Sequence, residues 1–229
     1  LTQYGGTWYL AGAKVVGGVI DTGDRTLYMI GKVSTRLENV TLRGDLLLDQ
    51  KRSILEIRDR LTLEQSRVTI DGRFEGEGPY VTGRDRDVLI DGDGIVEFKG
   101  TYNRFLSFRE LTVDEGVSIL YTADRSASGE DQVRLKGQML FTRGEHDVGA
   151  SWGFQQDGRL NLEGDSVVRI DTNEMVNNGQ VSLTDSTLIV RRSSDPEATF
   201  TNASTGRIEG TGTLDVSEIS FINEGFISP

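Results

Sequence analysis

Four aspartates, Asp85, Asp87, Asp91 and Asp93, lie close together and are interleaved with Arg84, Arg86, Gly92 and Gly94. Carboxylates in such density suit two kinds of chemistry. Oxygens converging on one point can hold Ca²⁺, and two carboxylates flanking a glycosidic bond can cleave it. Asp91-Gly92-Asp93-Gly94 opens like a calcium loop, but Ile95 and Glu97 follow where further oxygen ligands are required. Asp-Gly pairs are also ordinary turn chemistry, and the alternation from Arg84 to Asp87 reads as an exposed turn that neutralises itself. The single histidine, His146, sits in the polar stretch Arg143-Gly144-Glu145-His146-Asp147. With no cysteine and no second histidine there is no zinc set, and no Gly-x-Ser-x-Gly elbow supports a Ser-His-Asp triad. No catalytic residue, metal or cofactor is assigned from these residues. Trp8, Tyr9, Tyr80, Tyr102, Tyr121 and Trp152 are scattered singly, as expected of side chains that fill the ends or corners of a core, although exposed aromatics could also meet a carbohydrate.

The elements that would carry these residues are short. Val40-Thr41-Leu42, Val68-Thr69-Ile70, Val88-Leu89-Ile90, Val133-Arg134-Leu135 and Leu160-Asn161-Leu162 place apolar residues two apart, the period of a half-buried strand. Gly and Asp punctuate them, as in Arg43-Gly44-Asp45, Asp71-Gly72-Arg73 and Glu163-Gly164-Asp165. Residues 54–64 fit a helix through Ile54, Ile57 and Leu61, or two strands with a bend at Asp59; the strand-like neighbours favour strand.

One pattern recurs. Phe200-Thr201-Asn202 followed by Gly206 returns as Phe221-Ile222-Asn223 followed by Gly225, and Met175-Val176-Asn177 precedes both. Strands this short, joined by corners too brief for hairpins, point to an all-β parallel β-helix, a β-solenoid of about ten short coils in one domain, 1–229. Stacking residues one coil apart would place Phe200 over Phe221 inside. Asn177, Asn202 and Asn223 would form a ladder, and Gly206 and Gly225 would take backbone angles closed to other residues.

The formal charge of −11 repels phosphate, which excludes nucleic acid as a natural partner. No stretch is apolar enough to span a bilayer. The absence of cysteine fits a cytosolic chain or one that crosses an outer membrane unfolded.

The motif from Phe200 to Pro229, with Gly210-Thr211-Gly212-Thr213-Leu214 between its two copies, resembles β-helical repeats of large bacterial surface proteins, autotransporter passengers and filamentous-haemagglutinin-like adhesins. The resemblance is closest over residues 175–229 and textural before that. It implies a secreted or cell-surface bacterial protein in which this chain, a fragment of a longer one, is a structural or adhesive rod. Loops such as Thr122–Asp131 and Glu145–Gly153 would then be presented to a surface carbohydrate or protein receptor, and the open solenoid ends could associate with another copy. A polysaccharide-degrading β-helix enzyme, a lyase or glycosidase including the phage tail-spike type, is the alternative. Such repeats share no catalytic residue to carry over.

Overall fold

A computed structural model describes residues 2–4, 7–31, 33–73, 78–101 and 103–229, with side chains treated for 7–31, 33–73, 78–101, 108–124 and 131–229. Among the described residues twenty-three strands form one continuous hydrogen-bonded sheet. Thr2–Tyr4 pairs antiparallel with Thr7–Leu10, and every other pairing is parallel. The result is a β-solenoid of about nine turns with no helix among the described residues. Nor does any described helix have the length and apolarity to cross a membrane.

Each turn visits three faces in order. On the turn from Ser34 to Leu48, the first face is reached near Ser34–Glu38, the second near Val40–Arg43 and the third near Asp45–Leu48, each pairing with its equivalent one turn on. The third face gives the longest column, running from Trp8 through Leu27, Leu46 and Val68 to Ile208 and Ile227. Turn length along it varies from 19 residues (Leu27 to Leu46) to 28 (Val68 to Val96). The column from Trp8 to Ile227 takes ten steps of about 4.8 Å, a rod about 48 Å long.

Alternation within each short strand explains the core. Ser118–Tyr121, Gln138–Phe141 and Gln180–Leu183 each bury every second residue. A fully buried Leu, Val or Phe stabilises by about 1.5–3 kcal/mol, so each turn contributes inward pairs such as Leu160 and Leu162, both buried. Phe98, Tyr121 and Phe141 stack on successive turns, with ring centroids 4.9 and 4.5 Å apart and near-parallel planes. Tyr121 is therefore central to the core.

The strands are not uniformly short. Ser34–Leu48 spans 15 residues and Ile54–Gly72 spans 19. Single left-handed residues take the corners without ending the pairing: Asn39 (φ 55°), Asp59 (φ 59°) and Gln65 (φ 49°). These are residue types that tolerate or can adopt that region at a bend. Residues 54–64 are accordingly strand, bent at Asp59, and Asn39 Nδ2 donates to Asp59 Oδ2 one turn away at 3.2 Å. The two stretches expected as loops are largely strand, since Arg125–Leu135 and Glu145–Gln156 lie within the solenoid wall. His146 is likewise in a strand and fully buried, in contrast to the polar loop its neighbours suggest.

Candidate functional site

The second face carries a polar column inside the core. Leu61, Ile90, Val113 and Leu135 occupy successive turns at one position, and Gln156, Asn177, Asn202 and Asn223 continue it. Asn177 Nδ2 donates to Asn202 Oδ1 at 2.7 Å, and Asn202 Nδ2 donates to Asn223 Oδ1 at 2.7 Å. The same amides reach the Arg207 carbonyl at 3.2 Å and the Phe226 carbonyl at 3.4 Å, tying each second-face strand to the start of the next. Gln156, Asn177 and Asn202 are fully buried. Beside them Phe200 is buried and Phe221 packs over it, ring centroids 5.0 Å apart and tilted by 47°. Asn177 and Asn202 thus brace successive turns, while Gln156 Nε2 donates to the Gly158 carbonyl of its own turn at 2.6 Å and to the Gln180 carbonyl at 3.1 Å.

Gly206 and Gly225 differ from expectation. Neither belongs to the left-handed glycines such as Gly44, Gly92 and Gly210. Their requirement is close approach: a Cβ on Gly206 would collide with the Asn177 carbonyl and the Asn202 amide, and one on Gly225 with the Ala203 and Gly206 carbonyls. They make room for the ladder.

The aspartate cluster is divided among separate partners. Asp91 accepts from Arg60 Nε at 2.7 Å. Burial pushes the Asp91 carboxyl up, but the hydrogen bond and charge of Arg60 outweigh it and hold it below the usual carboxylate range. Asp93 Oδ1 accepts the Gln65 backbone N–H at 2.7 Å. Asp87 takes both Nε (2.6 Å) and Nη2 (2.5 Å) of Arg109, a bidentate pair that lowers its pKa. Arg84 pairs with Glu56, which also receives Arg36 at 3.1 Å and Arg58 at 2.5 Å. Arg84 and Asp87 are therefore paired with neighbouring turns and not with each other, while Arg58–Glu56 is a tie within one strand. Pairing between turns also gives a physical role to the excess of arginine over lysine, because a planar guanidinium can bridge stacked carboxylates with two donors. Among the described residues no group of three or more His, Asp or Glu is placed to hold a metal ion.

His146 packs against Tyr121 and Phe141, with ring centroids 5.7 and 4.9 Å away, and its Nε2 lies 2.6 Å from the Arg143 carbonyl. Burial lowers its pKa, outweighing that hydrogen bond and the charge of Asp147. It is a core residue.

Tyr102 lies outside the described residues, and among these Trp152 is the most exposed aromatic, with 75% of its surface open to solvent. Alternation from Val148, Ala150 and Phe154, all buried, would point it inward. The pairing explains the reversal. Glu130 faces Ala150 and Gln132 faces Gly153, so Ser151 and Trp152 oppose the single residue Asp131. The extra residue bulges the corner between the first and second faces and turns the indole outward. There Trp152 lines a hollow of about 290 Å³ with Asp87, Arg109, Glu110, Asp131 and Gln132. Asp87, Arg109, Asp131 and Trp152 come from four consecutive turns, a run of about 14 Å at the strand spacing. Among the described residues, none hydrogen-bonds the Asp131 carboxylate or the indole N–H. The sequence signal for this hollow is the local break in parity at Ser151-Trp152-Gly153, legible only once the turns are aligned.

Comparison with models of protein families, with curated proteins and with solved structures finds no match.

Proposed function

We propose that this chain is a rigid structural and adhesive segment of a secreted or cell-surface bacterial protein, a rod that holds contact residues at its corners. The observation that carries the reading is the Trp152 hollow. An indole left 75% exposed buries little within the chain and stays available to a partner. It stands on a corner of the parallel sheet, between Ala150 and Phe154, both buried in the core. Support also comes from the charged side chains of the faces, which are committed to ties between turns and so maintain the shaft. The bacterial surface setting rests on the resemblance of residues 175–229 alone.

The test is attachment. Beads carrying the chain should adhere to a surface coated with bacterial or host extracellular material, and Trp152→Ala beads should not, with the thermal midpoint unchanged. Equal attachment by both proteins contradicts the proposal. Polysaccharide cleavage that is lost in Asp131→Asn would instead put the enzyme reading first.

A further inference from the structure

We propose that the hollow beside Trp152 is a binding site for a linear, uncharged oligosaccharide lying along the axis of the rod; this rests on the reading of that corner as the presented contact. Three observations converge on sugar chemistry. First, one aromatic side chain stands free at the edge of the hollow, giving a flat apolar surface for the C–H face of a pyranose ring. Second, the remaining lining is planar and polar. Glu110 and Asp131 are acceptors for hydroxyl pairs, Gln132 offers both a donor and an acceptor, and Arg109 is a donor already held in place by Asp87. Third, these groups recur once per turn, at about 4.8 Å, which suits a ligand whose own hydroxyl groups repeat along a chain.

Charge selects the kind of glycan. The lining holds three carboxylates (Asp87, Glu110, Asp131) and one guanidinium (Arg109), and the whole chain carries −11. A uronic-acid or sialylated chain would meet net repulsion here, whereas neutral hexoses and N-acetylhexosamines would not. A cationic peptide is the competing occupant, through cation–π contact with the indole. It fits less well, because Asp87 is already neutralised by Arg109 and a single open ring does not enclose a cation.

The experiment is titration of the intact chain with neutral trisaccharides of glucose and of N-acetylglucosamine, followed by tryptophan fluorescence and calorimetry. Parallel arms use trigalacturonic acid and a lysine-rich peptide. Only Trp8 and Trp152 contribute to the emission, and Trp8→Phe isolates the reporter. The expected result is saturable binding of at least one neutral trisaccharide. It should weaken at least tenfold in Trp152→Ala and severalfold in Asp131→Asn, with thermal midpoints unchanged and no binding of trigalacturonic acid. Tighter binding of the peptide or the acidic sugar, neutral-sugar binding that survives Trp152→Ala, or no sugar binding at all overturns the inference. If Trp152-dependent attachment to a coated surface persists without any sugar binding, this inference fails while the adhesive reading stands. Loss of both overturns both.

Discussion

Replacing Asn202 removes the middle rung of the buried amide ladder, and its cost can be worked from the geometry. Asn202→Ala deletes the 2.7 Å bonds to Asn177 and Asn223 and the weaker 3.4 Å contact with the Phe226 carbonyl. Asn177 keeps one partner, the Arg207 carbonyl at 3.2 Å. Asn223 is exposed and recovers water. Two lost bonds at about 1 kcal/mol each, with partial desolvation of the Asn177 amide, give about 2–4 kcal/mol. For a chain of this size that is a fall in midpoint of roughly 6–12 °C if unfolding is cooperative. Asn202→Leu separates volume from bonding: leucine suits this column at Leu61 and Leu135, yet at 202 it strands the same amides and should gain little over alanine. Because each turn touches only its neighbours, the damage should be local. Hydrogen exchange should accelerate roughly a hundredfold in Thr199–Asn202, a change of about 3 kcal/mol, while Ser34–Leu48 stays protected. A change below about 0.5 kcal/mol in urea melts, or equal loosening at both ends of the rod, would refute the ladder argument.

Three further outcomes follow from the same structure. Gly206→Ala should lose about 2–3 kcal/mol in urea melts, because its Cβ meets the Asn177 carbonyl and the Asn202 amide; wild-type stability would show that the ladder has slack. Asp91 has a depressed pKa in the folded chain, so its contribution is present above the unfolded value of about 3.9 and is lost as pH falls through the folded value. Asp91→Asn should therefore be less stable at pH 7 and show a shallower acid transition in pH-dependent melts, and an unchanged transition would count against the Arg60 tie. His146 is also shifted down, here because burial disfavours its charged form, so the unfolded chain binds the proton first and stability falls as pH drops below about 6.5. His146→Gln should flatten that slope between pH 7 and 5 even if it lowers overall stability, and an equally steep slope in the variant would locate the titration elsewhere.

The repeated Phe-x-Asn is legible in the sequence because a buried amide ladder demands the same residue on every turn. Upstream of it the third-face column asks only for an apolar side chain of suitable volume. Val68, Val96, Ile119 and Met139 all satisfy that demand, and the repeat dissolves into texture. Alternation reveals strands but not how they join. Asn39 and Asp59 pass corners within a continuing ladder, so the expected short strands fuse into long bent ones. Glu145–Gln156 looks like a loop because Glu145, Asp147, Ser151 and Gln155 face outward and even the buried His146 and Gln156 are polar, leaving Val148, Ala150 and Phe154 to mark the inner face. Glycine is ambiguous as a letter: Gly44 serves a left-handed angle, whereas Gly206 serves a close approach. Trp152 escapes parity because one extra residue at a corner reverses its direction. That displacement depends on the residue count of the turn below and is invisible in a single window.

The register of the turns is the point on which the account rests, and a chain without native cysteine allows it to be measured by cross-linking. Each face offers an outward-facing pair on adjacent turns: Arg169 with Ile189, Val176 with Thr201, and Asn161 with Ser182. Converted to cysteine two at a time, each pair should close a disulfide under mild oxidation, since adjacent parallel strands bring Cα atoms within the roughly 4.4–6.8 Å that the bond needs. Pairs shifted by two residues should remain open. Closure of the shifted pairs, or failure of all three matched ones, would contradict a solenoid built from turns stacked in this register.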